Sequence, residues 1–143
     1  MTSNTSQDMG LIDLLKDRHY AVQKVAQKAW EEDNGMHISD SGWSIIACIS
    51  EGPQPVSHIT KQLDITRQAI HKFIKALSEK GLIDISEMPN DKKKKCVALT
   101  ELGKKCHRER VAMKVSIEEG IAEKLGSEKL ALLNDMLRSD WGI

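Results

Sequence analysis

The sequence predicts a mainly α-helical fold with one small β-hairpin, and three observations carry that class. Apolar residues recur at three- and four-residue steps in several segments of the 143-residue chain. A single stretch near the middle alternates in the manner of a strand and meets a second one across Met88-Pro89-Asn90-Asp91. Glycines fall mainly at helix ends and turns, where they separate these segments.

In chain order, Met1–Met9 is polar and expected to fray. From Leu11 a helical stripe runs through Leu15, Val22, Val25, Ala26, Ala29 and Trp30 and should stop at Asn34-Gly35. A helix of that length needs more surface to lie against than one small domain supplies. Ser39 is placed to cap the next helix, whose apolar positions are Trp43, Ile45, Ile46 and Ile49 before Glu51-Gly52-Pro53 breaks it. Val56-Ser57 starts a short helix carrying Ile59 and Leu63, and Asp64-Ile65 forms the turn after it.

The segment Thr66–Ile83 organises the rest. Ile70, Phe73, Ile74 and Leu77 share one helical face, while Arg67, Gln68, His71, Lys72 and Lys75 make the other face basic and rich in long donors. Thr66 is placed to cap the first turn and Gly81 to end the helix in a left-handed conformation. A face of this kind suits a DNA major groove; taken alone, it also suits a solvated lysine-rich surface. The short helix before it completes a helix-turn-helix unit. After Gly81, Leu82–Ser86 and Cys96–Leu99 pair as a hairpin whose tip carries Lys92, Lys93, Lys94 and Lys95, a wing suited to phosphates or the minor groove. Thr100 then caps a long helix with Val111, Val115, Ile117, Ile121 and Leu125, and Gly126-Ser127 separates it from a last helix carrying Leu130, Leu133, Leu137 and Trp141. The fold class is therefore a winged helix-turn-helix with long N- and C-terminal helices.

Formal net charge is zero, but its distribution is uneven. Ser57–Lys105 holds 11 Lys and Arg against 6 Asp and Glu, an excess of +5; the remainder holds 21 − 11 = 10 against 21 − 6 = 15, or −5. A basic middle between acidic ends attracts phosphates although the total is neutral. The start MTSNTSQDMG has neither the charged lead nor the apolar core of a signal peptide, and no apolar run nears the roughly 18 residues of a membrane span. With three cysteines and no CxxC spacing, the chain reads as a reduced cytoplasmic protein without a membrane partner.

The order of parts resembles the MarR family (multiple antibiotic resistance regulators) of winged helix-turn-helix transcription factors, from about Leu11 to Trp141. Three stretches carry the resemblance: Ile38–Ile46 entering the second helix, Leu63–Ile83 with its closing Lys80-Gly81-Leu82-Ile83, and Asp91-Lys92-Lys93 followed by Val97–Gly103. Two departures stand out. Lys93 occupies the arginine place of the family's Asp-x-Arg wing, and Ile85 stands near an earlier wing arginine. Lysine keeps the charge without the planar fork, so the wing should lean on phosphate attraction and read less sequence.

The resemblance implies one MarR-type domain over residues 1–143, with dimerisation helices at 10–34 and 101–141 and a DNA-binding lobe at 38–100. It implies a homodimeric, sequence-specific regulator, a repressor, on a pseudo-palindromic site of double-stranded DNA. Thr66, Arg67, Gln68, His71, Lys72 and Lys75 would be groove or phosphate contacts, joined by Lys92–Lys95 of the wing. Many members of the family also bind a small aromatic or anionic effector; His19, Tyr20, Trp30 and Trp43 could line such a pocket, although an ordinary core and subunit interface would use the same residues and is the favoured reading of them.

Other chemistry finds less support. Cys106 and His107 are adjacent and point to different sides of a helix, and His19, His37 and His58 are scattered, so no metal or other cofactor is expected. Cys48 lies among isoleucines as a small core residue; lysines beside Cys96 and Cys106 could lower a thiol pKa, but no cysteine precedes Cys48, whereas redox-sensing members of the family it resembles usually carry theirs near the N-terminus, so a redox role is not the favoured reading. No nucleophile–base pair, paired carboxylates or phosphate-cradling loop is present, and an enzyme is not expected. The serious rival is a winged helix used only for protein–protein contact, against which the basic face and the wing lysines argue.

Overall fold

The computed structural model describes residues 8–143, so the expected fraying of the first residues lies largely outside the described residues. Among these, the elements run α1 (Leu11–Asn34), α2 (Asp40–Cys48), β1 (Gln54–Pro55), α3 (Val56–Leu63), α4 (Arg67–Glu79), β2 (Ile83–Met88), β3 (Asp91–Leu99), α5 (Glu101–Leu125) and α6 (Ser127–Arg138). The chain divides into a lobe, His37–Val111, and a second unit made of the segments before and after it.

Within the lobe, α2, α3 and α4 pack on one another, α3 lies on β1 and β3, and α4 lies on β2. The core is what the helical stripes supply: Ile45, Ile46 and Ile49 from α2 and its end, Ile59 from α3, Ile70, Ile74 and Leu77 from α4, with Leu82 just before β2 and Val97 from β3. Ser39 accepts a hydrogen bond from the Gly42 N–H, as its capping position requires. Between α3 and α4 the chain reverses through Asp64, the one non-glycine residue with positive φ (50°) among the described residues. Aspartate tolerates that conformation better than most side chains.

The sheet departs from the expected lone hairpin. It has three antiparallel strands in the order β1-β3-β2, because Gln54 and Pro55 pair with Val97 and Cys96. Proline survives there because β1 is an edge strand. The four lysines belong to β3 and not to the tip loop; Ile83 pairs with Leu99, Ile85 with Val97 and Glu87 with Lys95 before a bulge at Glu87/Met88. Asp91 shapes this end of the strand, its side chain accepting from the Lys93 N–H at 3.0 Å.

In the second unit, α1 buries Ala26 and Trp30, but Ile12 is 82 % exposed and Leu11, Leu14, Val22 and Val25 are also open to solvent. Past Val111, α5 buries no residue although it carries Val115, Ile117 and Ile121, and neither does the amphipathic α6. Trp141, expected on the last helix, lies beyond its end at Arg138. The backbone turns extended at Ser139, and the Trp141 indole N–H donates back to the Met136 carbonyl. No helix among the described residues is long and apolar enough to cross a membrane.

Candidate nucleic-acid interface

Thr66 sets the start of α4: its hydroxyl accepts from the Ala69 N–H at 3.2 Å, so that oxygen serves the helix end. From there Arg67, Gln68, His71, Lys72 and Lys75 are all exposed, while Ile70, Ile74 and Leu77 face the core. The division into packing and donor faces is therefore as the periodicity predicts.

Arg67 and His71 line a cleft together with Lys93, Lys94 and Lys95 of β3 and with Pro55, Val56, Ser57 and Thr60 at the start of α3. Gln68, Lys72 and Lys75 lie on α4 outside that lining, as does Lys92 on β3. Four permanent cations and no carboxylate line the cleft, a concentration of positive potential that water-facing geometry leaves available to phosphate oxygens. Of the cleft lysines, Lys95 shares its charge with Glu87 at 4.0 Å; Lys93 and Lys94 form no ion pair among the described residues. Ile85, at the place of an early wing arginine, is 45 % exposed and brings no charge.

Sequence reasoning did not find Ser57 and Thr60. Their signal was the helix-turn-helix pattern itself, which brings the start of its first helix beside the start of its second. It also missed Arg110. Gly103, Cys106 and Arg110 form the buried stripe of α5, and Arg110 is only 8 % exposed. Its guanidinium carbon stands 4.7 Å from the centre of the Trp43 ring, a cation–π contact. Burial pushes the Arg110 pKa down, and the Asp40 carboxylate acts in the opposite direction. Among the described residues nothing hydrogen-bonds its Nε and Nη1.

None of the four residues named for an effector lines the cleft. His19 and Tyr20 are exposed on α1, with the Tyr20 ring under Lys24 Nζ at 5.4 Å; Trp30 and Trp43 are buried, the latter in the lobe. At Cys106 the lysine neighbours do not carry the thiol pKa down. Burial raises its pKa first, Glu109 raises it further, and the opposing effect of Lys105 is smaller. Lysine neighbours in sequence point outward on the helix while Sγ points in. Cys48 is half-buried rather than fully in the core; burial raises its pKa too, and its Sγ donates to Gln62 Oε1 at 3.0 Å.

A family model described as a winged helix DNA-binding domain matches residues 39–103. The HTH-type transcriptional regulator FarR of Neisseria gonorrhoeae is 30% identical over 105 residues, covering 73% of this chain and 72% of that one. Among solved structures, FabT of Streptococcus pneumoniae in complex with DNA is similar at TM-score 0.77 and 20% identity, over 89% of this chain and 90% of that one. Wild-type MarR from E. coli is similar at TM-score 0.74 and 16% identity, over 91% and 96%. NadR in complex with 4-hydroxyphenylacetate is similar at TM-score 0.63 and 25% identity, over 89% and 88%. On the match to FarR and to the winged-helix model, with the fold of MarR itself, the chain belongs to the MarR family of winged helix-turn-helix proteins and is a DNA-binding transcriptional regulator.

Proposed function

We propose that the chain works as a homodimeric repressor on a pseudo-palindromic operator, with α4 in the major groove and the β2–β3 wing on the adjoining backbone. The observation that carries this reading is the cleft in which Arg67 and His71 of α4 meet Lys93, Lys94 and Lys95. Arg67 and Gln68 stand at the start of the helix, where base edges are reached; arginine suits guanine and glutamine suits adenine. Lys72, Lys75 and the lysines of 92–95 supply phosphate contacts, and Thr66 fixes the helix start.

Residues 10–34 and 101–141 are the dimerisation segments in this reading, and 38–100 is the DNA-binding lobe. Its support is physical. An amphipathic helix such as α6, which buries nothing in one chain, needs a second surface for Leu132, Leu133, Met136 and Leu137. Two copies would present their α4 helices to successive major grooves, about one DNA turn apart. A dimer on such a site excludes other proteins from it, and the work belongs in the cytoplasm with the chromosome.

A small effector belongs to the same reading. Arg110, with unused donors over the Trp43 face, suits an aromatic carboxylate, the class to which the ligand of NadR belongs. Sedimentation of the free protein and of its complex tests the assembly, and transcription from an operator template tests repression. A two-chain complex that lowers transcription is expected. A monomer on DNA, or unchanged transcription with the site occupied, would overturn the proposal.

A further inference from the structure

The C-terminal end of α4 is closed by a Schellman arrangement: the Leu82 N–H donates to the Leu77 carbonyl at 3.0 Å and the Gly81 N–H to the Ser78 carbonyl at 2.9 Å. Gly81 holds the left-handed conformation this requires, at φ 76°. The same few residues also receive the start of α5. The Thr100 N–H donates to the Leu82 carbonyl at 3.1 Å. Its hydroxyl donates to the Gly81 carbonyl at 2.7 Å and accepts from the Gly103 N–H at 3.0 Å. One side chain is thus the N-cap of α5 and a clamp on the end of α4.

Gly103 makes the clamp tight. A Cβ there would collide with the Leu82 carbonyl oxygen and stand 2.9 Å from Leu99 Cδ2. The first turn of α5 therefore lies directly on the backbone at Leu82, just past the end of α4, with no Cβ on Gly103 to hold the two apart.

We infer that Thr100 is a positioning residue: its hydroxyl fixes the angle between α4 and α5 and thereby the separation of half-sites the protein accepts. This rests on the two-half-site reading above. The lever arm is the 13-residue α4, about 20 Å long at 1.5 Å per residue, with Arg67 and Gln68 at the far end. A swing of about 10° at the joint moves that end by about 3.4 Å, the rise of one base pair. Small slack at Thr100 is therefore large at the bases.

The test uses the full chain and an operator obtained by selection from a random duplex pool. Duplexes carry the two half-sites at the selected spacing or at one base pair more or less, and binding is followed by fluorescence anisotropy. The unaltered protein is expected to lose about tenfold or more at each offset. Thr100→Val, which removes the hydroxyl, is expected to reduce that ratio to about threefold or less. Thr100→Ser should retain the original ratio. Thr100→Asp keeps an acceptor for the Gly103 N–H but cannot donate to Gly81, so it decides the matter if Thr100→Val does not fold. Equal losses at every spacing in the Val and Asp variants would mean a structural role only and overturn the inference. An unaltered protein indifferent to spacing would overturn the two-half-site reading itself, and this inference with it.

Discussion

Replacing Lys93 and Lys94 together by alanine removes two exposed cations from the cleft without breaking any ion pair among the described residues. Each phosphate contact contributes about 0.9 to the slope of log affinity against log salt, because binding releases condensed counterions. In the proposed dimer two lysines from each protomer make four contacts, so the slope should become shallower by about 3.6. Between 50 and 200 mM salt, a fourfold change, the unaltered protein should lose about 150-fold more affinity than the variant. Anisotropy titrations on the operator and on a scrambled duplex measure this directly, and both duplexes should show the same change. Lys95→Ala should have a smaller effect, since Glu87 already neutralises part of that charge. An unchanged slope in the double variant would remove the wing from the interface.

Other expectations follow from particular contacts. Gln68→Ala should cost about 1–3 kcal/mol on the operator and relax preference at one base pair; equal losses on all sequences would show that Gln68 reads no base. Gly103→Ala forces a methyl group into the Leu82 carbonyl and should lower stability by about 3 kcal/mol or more in urea denaturation. Gly81→Ala, strained only by its φ of 76°, should cost about 1–2 kcal/mol; the reverse order would refute the close approach. With its pKa raised above the ordinary 9.0, the Cys106 thiol holds less thiolate at any given pH below that. It should alkylate more slowly than the half-buried Cys96 at pH 8, and mild peroxide should leave DNA binding intact.

Thr66–Ile83 was legible because three independent signals agreed there: a capping threonine, a clean apolar stripe and a glycine at the left-handed position. The lysines of β3 misled because a run of like charges carries no alternation. Their strand character comes from backbone pairing with β2 and from the Asp91 turn, neither of which a local pattern records. β1 is two residues long and includes a proline, and only its pairing with Val97 and Cys96 makes it a strand. Trp141 continued the helical spacing by coincidence past the point where Ser139 turns the backbone extended. Arg110 escaped because a charged residue on a stripe with Gly103 and Cys106 looks like a solvated position until the small residues beside it bring α5 close.

Selection of bound duplexes from a random pool tests the central claim most directly, since it needs no knowledge of the operator. Two inverted copies of one short motif, with centres about one helical turn apart, are the expected product. A pool that emerges without sequence enrichment, or with a single motif lacking a second copy, would contradict the claim that paired α4 helices read DNA.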